Sequence, residues 1–334
     1  ISFAFFIILF VMHINNNNLS KKILSWYDNN KRTLPWRISQ KFDRKQYYRI
    51  LSEFMLQQTQ VKTVIPYFNN FVKKIPNLKA LSKSKEKTVL KLWEGLGYYR
   101  RAKSLHKTSK ILVKQHKGLI PSNLEKLKDL PGIGDYTANI LLALIYNQPC
   151  IGLDGNVKRV LARVLNIDTW KLESLFKTKR NSDLAEALME FGALICKPKE
   201  PKCYKCEIKK MCSYYRLENK VKYKKKIKIK IKSYDIFCYL KKNTKQIALT
   251  KSNKLGFLKK FNLPKIQEAT KGNKNWNFLC NYKNSISNKK LNINLYYKFS
   301  TKIPSRYNWY FLNKNKDFIP TFTKKIIKQV SHLY

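Results

Sequence analysis

Two acidic side chains stand out because of what does not surround them. Glu53 precedes the run Phe54-Met55-Leu56-Gln57-Gln58-Thr59-Gln60, which carries no charge, in a chain that has 69 Lys and Arg. A lone glutamate in such a run reads as buried. Burial disfavours the ionised form and raises a carboxyl pKa, so that the group can donate a proton near neutral pH. Asp154 lies in Leu153-Asp154-Gly155-Asn156-Val157, a Gly-containing turn ahead of a helical pattern. It could be no more than a helix N-cap, or the second carboxylate of an acid–base pair. A third group is Cys196-x6-Cys203-x2-Cys206-x5-Cys212. Four thiolates at short spacings suit an iron–sulfur cluster or a tetrahedral zinc. Zinc ribbons use two tight knuckles and only one exists here, which favours the cluster. A fourth is Leu130-Pro131-Gly132-Ile133-Gly134. Its glycines allow a tight turn that aims backbone N–H groups at a phosphate from a helix N-terminus, although an ordinary helix connection has the same look.

The elements that must position these groups are helical as far as about Leu217. Leu19, Ile23, Leu24, Trp26 and Tyr27 recur at helix spacing behind Asn18. Tyr48 to Phe71 reads as one or two buried helices broken at Pro66, and Glu86 to Trp93 as another, ending at Gly95 and Gly97. Arg101 to His116 is amphipathic and closes at Gly118. Leu124 to Leu130, the glycine turn and Tyr136 to Tyr146 form a helix-hairpin-helix. Val157 to Leu165 and Leu184 to Cys196 complete the set. The fold expected is mainly α over 19–217, with the cysteine loop at 196–212. The stretch 218–233, with its Lys–Ile alternation, reads as a basic linker rather than an exposed strand. From 234 to 334 the period changes to two. Tyr234–Leu240 and Gln246–Thr250 read as a hairpin, Leu291–Phe299 and Tyr307–Leu312 as strands and Phe322–Val330 as a closing helix. This is a small α+β domain, and no internal repeat is visible.

The formal net charge is +49, which points to a polyanionic partner, most simply nucleic acid. The signal is diluted, because only 11 of the basic residues are Arg and lysines fill even the connecting segments. Cys150, Cys238 and Cys280 are scattered, so the cysteine pattern does not fit a secreted disulfide framework. Ile1–Val11 is apolar but too short to span a bilayer. It reads as an extension ahead of a start at Met12, with a short membrane-interacting tail as the alternative; 1–18 is set apart on this ground. No other segment looks transmembrane, so a soluble, cytoplasmic protein of bacterial type, working as a monomer at the nucleoid, is expected.

Taken in order, the hairpin Leu130–Gly134, Asp154 and the four-cysteine loop resemble the helix-hairpin-helix DNA glycosylase superfamily of endonuclease III type. Leu34-Pro35-Trp36-Arg37, Ser52 to Gln60, Trp93 to Tyr99 and Leu153 to Val160 narrow the resemblance to the MutY-type adenine DNA glycosylases. It covers about residues 19 to 217 well and the rest loosely. It implies a two-lobed helical domain with one [4Fe–4S] cluster on Cys196, Cys203, Cys206 and Cys212, and a Nudix-like C-terminal domain that helps read 8-oxoguanine. It implies that Glu53 protonates adenine, that Asp154 stabilises the sugar cation, and that Asn156 and Tyr136 orient Asp154 and water. Gln58 and Tyr98 would fill the gap left in the duplex. Thr59, Gly132, Gly134 and Ser300 would contact DNA. Arg32, Trp36, Leu56 and Glu186 would line the adenine pocket. Tyr136 stands where bifunctional relatives place a Schiff-base lysine, so the reaction should stop at base removal; Lys128 is the neighbouring amine that could substitute. An oxidised-pyrimidine glycosylase/lyase and a decayed, non-catalytic DNA-binding relative are the rival readings. The C-terminal match departs at Phe299-Ser300-Thr301, where the family carries Phe-Ser-His, and at Phe257–Pro264. Asn166 to Asp183 is shorter than in the family. Weaker lesion discrimination is therefore expected.

Overall fold

A computed structural model describes residues 18–38, 41–165, 178–217, 230–251, 258, 261–269, 275–286, 289–313 and 318–334. The N-terminal extension up to residue 17, most of 166–183, the stretch 218–229 and residues 257, 259 and 260 of Phe257–Pro264 lie outside these residues. Contacts divide the chain into two units. One is drawn from Ile1–Val89 and Tyr98–Lys224, the other from Leu90–Gly97 and Lys225–Tyr334.

The first unit is helical. Helix α1 spans 18–30 and buries Leu19, Ile23, Leu24, Trp26 and Tyr27, the face its spacing predicts. Helix α2 (Phe42–Leu56) is buried nearly all round in its second half, with Ile50, Leu51, Phe54 and Met55 fully enclosed. A helix buried on every side belongs near the centre of a domain, and this one carries Glu53. Helix α3 (Val61–Lys74) buries Val64, Phe68 and Phe71. Here the structure corrects the sequence reading. The break falls at 57–60, not at Pro66, which sits inside α3. The residue whose carbonyl loses a partner at Pro66 is Lys62, in the first turn, and the buried stripe holds the helix together across that gap.

Helices α4 (Leu78–Lys83), α5 (Glu86–Leu92) and α6 (Arg100–Gln115) follow. The hairpin is α7 (Leu124–Lys128), a turn at 129–134 and α8 (Asp135–Tyr146), the last buried from Thr137 to Ile145 except at Asn139. Gly132 has φ +85, and a Cβ there would lie 2.7 Å from Ser104 Cβ and 2.9 Å from Phe54 Cε1. Only glycine lets the turn pack this closely. Helices α9 (Gly155–Leu165) and α10 (Asn181–Leu194) close a core with α1, built from Ile23, Tyr27, Val157, Val160, Leu161, Leu188 and Phe191. Short turns carry the cysteine loop to α11 (Ser213–Arg216). No strand occurs among the described residues of this unit.

The second unit is a six-stranded sheet with a helix. Strands β1 (Lys230–Lys241), β2 (Gln246–Leu249), β3 (Lys265–Glu268), β4 (Asn277–Ile286), β5 (Lys289–Phe299) and β6 (Asn308–Phe311) run in the order β4-β5-β1-β2-β6, with β3 also paired to β1. The expected hairpin forms, with Leu240 opposite Ile247. Strand β1 begins at Lys230, so 230–233 of the expected linker is strand instead. Parallel pairing of β1 with β5 leaves β1 buried over Tyr234–Cys238. Helix α12 (Thr321–Val330) packs Phe322, Ile326, Ile327 and Val330 into the core. In the same unit, Glu94 accepts hydrogen bonds from Ile319 N–H at 3.1 Å and from Lys324 at 3.2 Å.

Candidate active site

Glu53 sits on the last turn of α2, only 5% exposed, at the wall of a cleft of about 630 Å³. That volume is in the range of small-molecule sites and admits a nucleoside. Asp154, Tyr136 and Asn156 line the same cleft, as do Arg32, Trp36, Leu56, Gln58, Thr59, Gly132, Gly134 and Glu186. Residues chosen from stretches more than a hundred positions apart therefore meet in one place.

The two carboxyls have different surroundings. Glu53 is pushed from its ordinary 4.5 up to about 7, mainly by burial, with Arg49 pulling it down and Glu186 pushing it further up. The Tyr136 hydroxyl donates toward Glu53 Oε2 at 3.4 Å. Burial, then Glu53 and Asp154, raise the Tyr136 pKa, so the phenol stays a neutral donor. Asp154 caps α9. Its Oδ1 accepts from Asn156 N at 2.8 Å and Val157 N at 2.7 Å, and its Oδ2 from Asn156 Nδ2 at 3.0 Å. The N-cap reading of the turn holds, and the cap fixes the carboxylate. Burial raises the Asp154 pKa and those N–H donors oppose it. A desolvated carboxylate held in place gains most when a cation arrives beside it.

Arginines organise the remaining wall. Glu190 takes Arg32 through a double contact at 2.6 and 2.8 Å, and Arg37 at 3.2 Å. Glu186 takes Arg49, Arg37 and the Tyr27 hydroxyl. Burial opposes ionisation of Glu186, but Arg49, Arg37 and Tyr27 outweigh it and hold the group below its ordinary value. Sequence reasoning assigned no role to Arg49, Glu190, Gln57 or Arg101. Arg49 was findable, because it lies one helical turn before Glu53. Gln57 ties α2 to the hairpin by donating to Gly132 O and Thr137 Oγ1, each at 3.4 Å. Arg101 donates to the carbonyls of Phe54, Met55 and Gln57 at 3.0, 2.6 and 2.6 Å and to Thr59 Oγ1 at 3.0 Å. It thereby satisfies the orphan carbonyls at the end of α2.

Gln58 and Tyr98 have φ of +58 and +49, a left-handed conformation that costs a non-glycine residue about 1–2 kcal/mol. Both are exposed. Tyr98 is not part of the cleft lining; its ring lies 5.3 Å from the Arg101 guanidinium. Ser300 belongs to the second unit, where its hydroxyl donates to Lys302 O at 2.6 Å. Lys128 pairs with Asp135 at 3.1 Å and Glu125 at 3.6 Å on the surface and takes no part in the cleft.

Cys212 joins the α1–α9–α10 core, and Cys196 and Cys206 pack against it. Among the described residues, no three His, Cys, Asp or Glu side chains come close enough to hold a single metal ion. The thiols still feel one another: burial, then mutual repulsion, raises Cys203, Cys206 and Cys212, with Cys196 contributing to each. Arg163 Nη1 lies 3.5 Å from Cys196 Sγ and donates to Lys197 O at 2.6 Å, while Arg159 donates to Cys196 O at 2.8 Å and to Asn156 Oδ1 at 2.8 Å.

Residues 51–186 match the HhH-GPD superfamily of base excision DNA repair proteins. The adenine DNA glycosylase of Buchnera aphidicola subsp. Baizongia pistaciae is 37% identical over 342 residues, covering 92% of this chain and 95% of that protein. The chain belongs to the adenine DNA glycosylase family. Its human relative of that name is 39% identical over 207 residues, which cover 57% of this chain and 38% of the human protein. Among solved structures, a thermostable thymine-DNA glycosylase superposes with a TM-score of 0.56 at 27% identity, over 61% of this chain and 97% of its own. A non-covalent endonuclease III–DNA complex, at 17% identity and a TM-score of 0.51 over 60% of this chain and 95% of its own, shares the fold. No helix among the described residues is long and apolar enough to cross a membrane.

Proposed function

We propose that this glycosylase hydrolyses the N-glycosidic bond of adenine mispaired with 8-oxoguanine or guanine in duplex DNA, and that it stops at base removal. The observation that carries this reading is Glu53: a buried carboxyl held near pH 7, within reach of a neutral tyrosine and across one cleft from a capped aspartate. The adenine must leave the stack to enter that cleft. Glu53 gives its proton to a ring nitrogen of the base. The electron pair of the N-glycosidic bond departs with the neutral adenine, and the positive charge left on the sugar faces Asp154. Water then adds to the anomeric carbon, and its proton returns to Glu53. Asn156 and Tyr136 hold Asp154 and the water in line. Among the described residues no amine lines the cleft where a Schiff base would form, which supports hydrolysis without strand cleavage.

Cys196, Cys203, Cys206 and Cys212 would hold a [4Fe–4S] cluster, which pins the loop. Lys197, Lys199, Lys202, Lys205, Lys209 and Lys210 would then meet phosphates from a rigid platform. The 234–334 domain and Ser300 would face the lesion, with Thr301 in place of the family's histidine. The 8-oxoguanine preference is therefore weaker than in relatives that keep the histidine, and the protein acts as a monomer at the cytoplasmic nucleoid. The test is a single-turnover assay on an 8-oxoguanine:adenine duplex, read before and after alkali. Wild type should release adenine and cut only after alkali, and Glu53→Gln should bind the duplex but release nothing. Release of oxidised pyrimidine with a high yield of borohydride-trapped adduct would favour the lyase reading. Duplex binding without adenine release by the wild type would favour a decayed binding protein.

A further inference from the structure

The cleft contains a cation that a proton donor should avoid. Arg49 is on the same helix as Glu53, one turn earlier, and is 8% exposed. A guanidinium at that spacing is placed to pair with the carboxyl and hold it ionised. The fork is also not used up, since Arg49 Nε meets no acceptor among the described residues. What Arg49 does meet is Glu186, from α10, through its Nη1. Glu186 is itself locked from the other side by Arg37, 3.1 Å away, and by the Tyr27 hydroxyl.

The charges around Glu53 come from each neighbouring element. Arg49 is on α2, Tyr136 on α8, Asp154 at the start of α9 and Glu186 on α10. Lys45, a further turn back on α2, couples to Arg49 and Glu186 and also to Asp183. Arg32 and Arg37, from the segment before α2, answer to Glu190 and Glu186. In the cleft lining, three guanidiniums (Arg32, Arg37, Arg49) face four carboxyls (Glu53, Asp154, Glu186, Glu190). The charges balance when one of the four is neutral. Among the described residues, Glu53 alone of the four makes no ion pair and takes no backbone N–H.

We propose that the Arg49–Glu186 pair is a charge lock: Glu186 diverts Arg49 from Glu53, so that Glu53 keeps the proton it donates. Arg49 and Glu186 are thus positioning residues for the general acid. The proposal rests on the adenine-excision reading for its consequence but not for its test. The full-length protein, free of DNA, is titrated by infrared difference spectroscopy. The protonated-carboxyl band of Glu53 is assigned by its loss in Glu53→Gln. Glu186→Gln frees Arg49 and should lower the Glu53 midpoint by about 1 unit or more; Arg49→Met should raise it by about 1 unit. The double variant should return close to wild type. If Arg49→Met does not fold, Arg49→Gln removes the charge, keeps a donor to Glu186 and should give the same rise. The descending limb of adenine release against pH should move with the midpoint, roughly tenfold in rate per unit above it. A loss of rate at every pH with the limb in place would reduce Glu186 to a pocket wall and overturn the proposal. So would single variants with unmoved midpoints, or a double variant displaced as far as Glu186→Gln. If the midpoints move as stated but no adenine is released, the lock stands and the excision reading falls. Adenine release with fixed midpoints has the opposite meaning.

Discussion

Replacing Glu53 by glutamine should do more than stop the reaction: it should stabilise the protein, and only above a certain pH. The folded carboxyl titrates near 7 and an unfolded glutamate near 4.5. As pH climbs through this window the unfolded chain gives up its proton while the folded one keeps it. Stability contributed by the raised pKa is complete below about 4.5 and is lost as pH rises through 7. The full difference, roughly 2.5 units at about 1.36 kcal/mol each, is about 3.4 kcal/mol. About 1.4 kcal/mol of this is already lost near pH 5.5, so the remainder between pH 5.5 and 8.5 is about 2 kcal/mol. Glutamine cannot ionise and keeps an oxygen for the Tyr136 hydroxyl, so Glu53→Gln escapes the loss. For a helical unit of this size, the gap in melting temperature between variant and wild type should widen by roughly 4–8 °C from about pH 5.5 to about pH 8.5. Melts followed by circular dichroism on both proteins, in matched ionic strength, measure it. A gap that is the same at both pH values, or that shrinks as pH rises, would refute the assignment of a proton to Glu53.

Other perturbations test separate parts of the structure. Tyr136→Lys puts an amine in the cleft beside Glu53 and Asp154, and should give a borohydride-trapped DNA adduct that wild type lacks; Lys128→Ala should change neither result, because Lys128 is held at the surface by Asp135 and Glu125. Gly132→Ala must adopt φ +85 and push against Ser104, costing at least about 1–3 kcal/mol in urea denaturation. Cys206→Ser should abolish the visible iron–sulfur absorbance and loosen duplex binding. Binding itself should weaken steeply with salt, by an exponent that falls when Lys209 and Lys210 are both changed to Ala.

The parts of the site that the sequence revealed are local. The hairpin turn, the cap at Asp154 and the cysteine spacing each fit in under twenty residues, and each states its own geometric need. The parts it hid are long-range. Arg49 meets Glu186 across 137 positions and Arg32 meets Glu190 across 158, and nothing in either stretch names its partner. Pro66 misled because proline is tolerated near a helix start when a buried stripe compensates. In the second unit β1 from Tyr234 onward, β2, β5 and β6 were legible from their alternation. Strand β4 was not: Asn277–Ile286 is rich in Asn and is buried only at Asn284, so it lacks the apolar periodicity that marks a half-buried strand.

Arg101 has a bearing on when the protein meets its ordering costs. One guanidinium holds the Met55 and Gln57 carbonyls before Gln58 and the Thr59 hydroxyl after it, and lies against the ring of Tyr98. Gln58 and Tyr98, both with left-handed backbone angles, therefore share a single anchor, set during folding before any duplex arrives. Association need not spend binding energy on shaping these tips. The corollary is genetic. Substitutions at 58 and 98 should not behave as independent events, and a change at 101 should mask both.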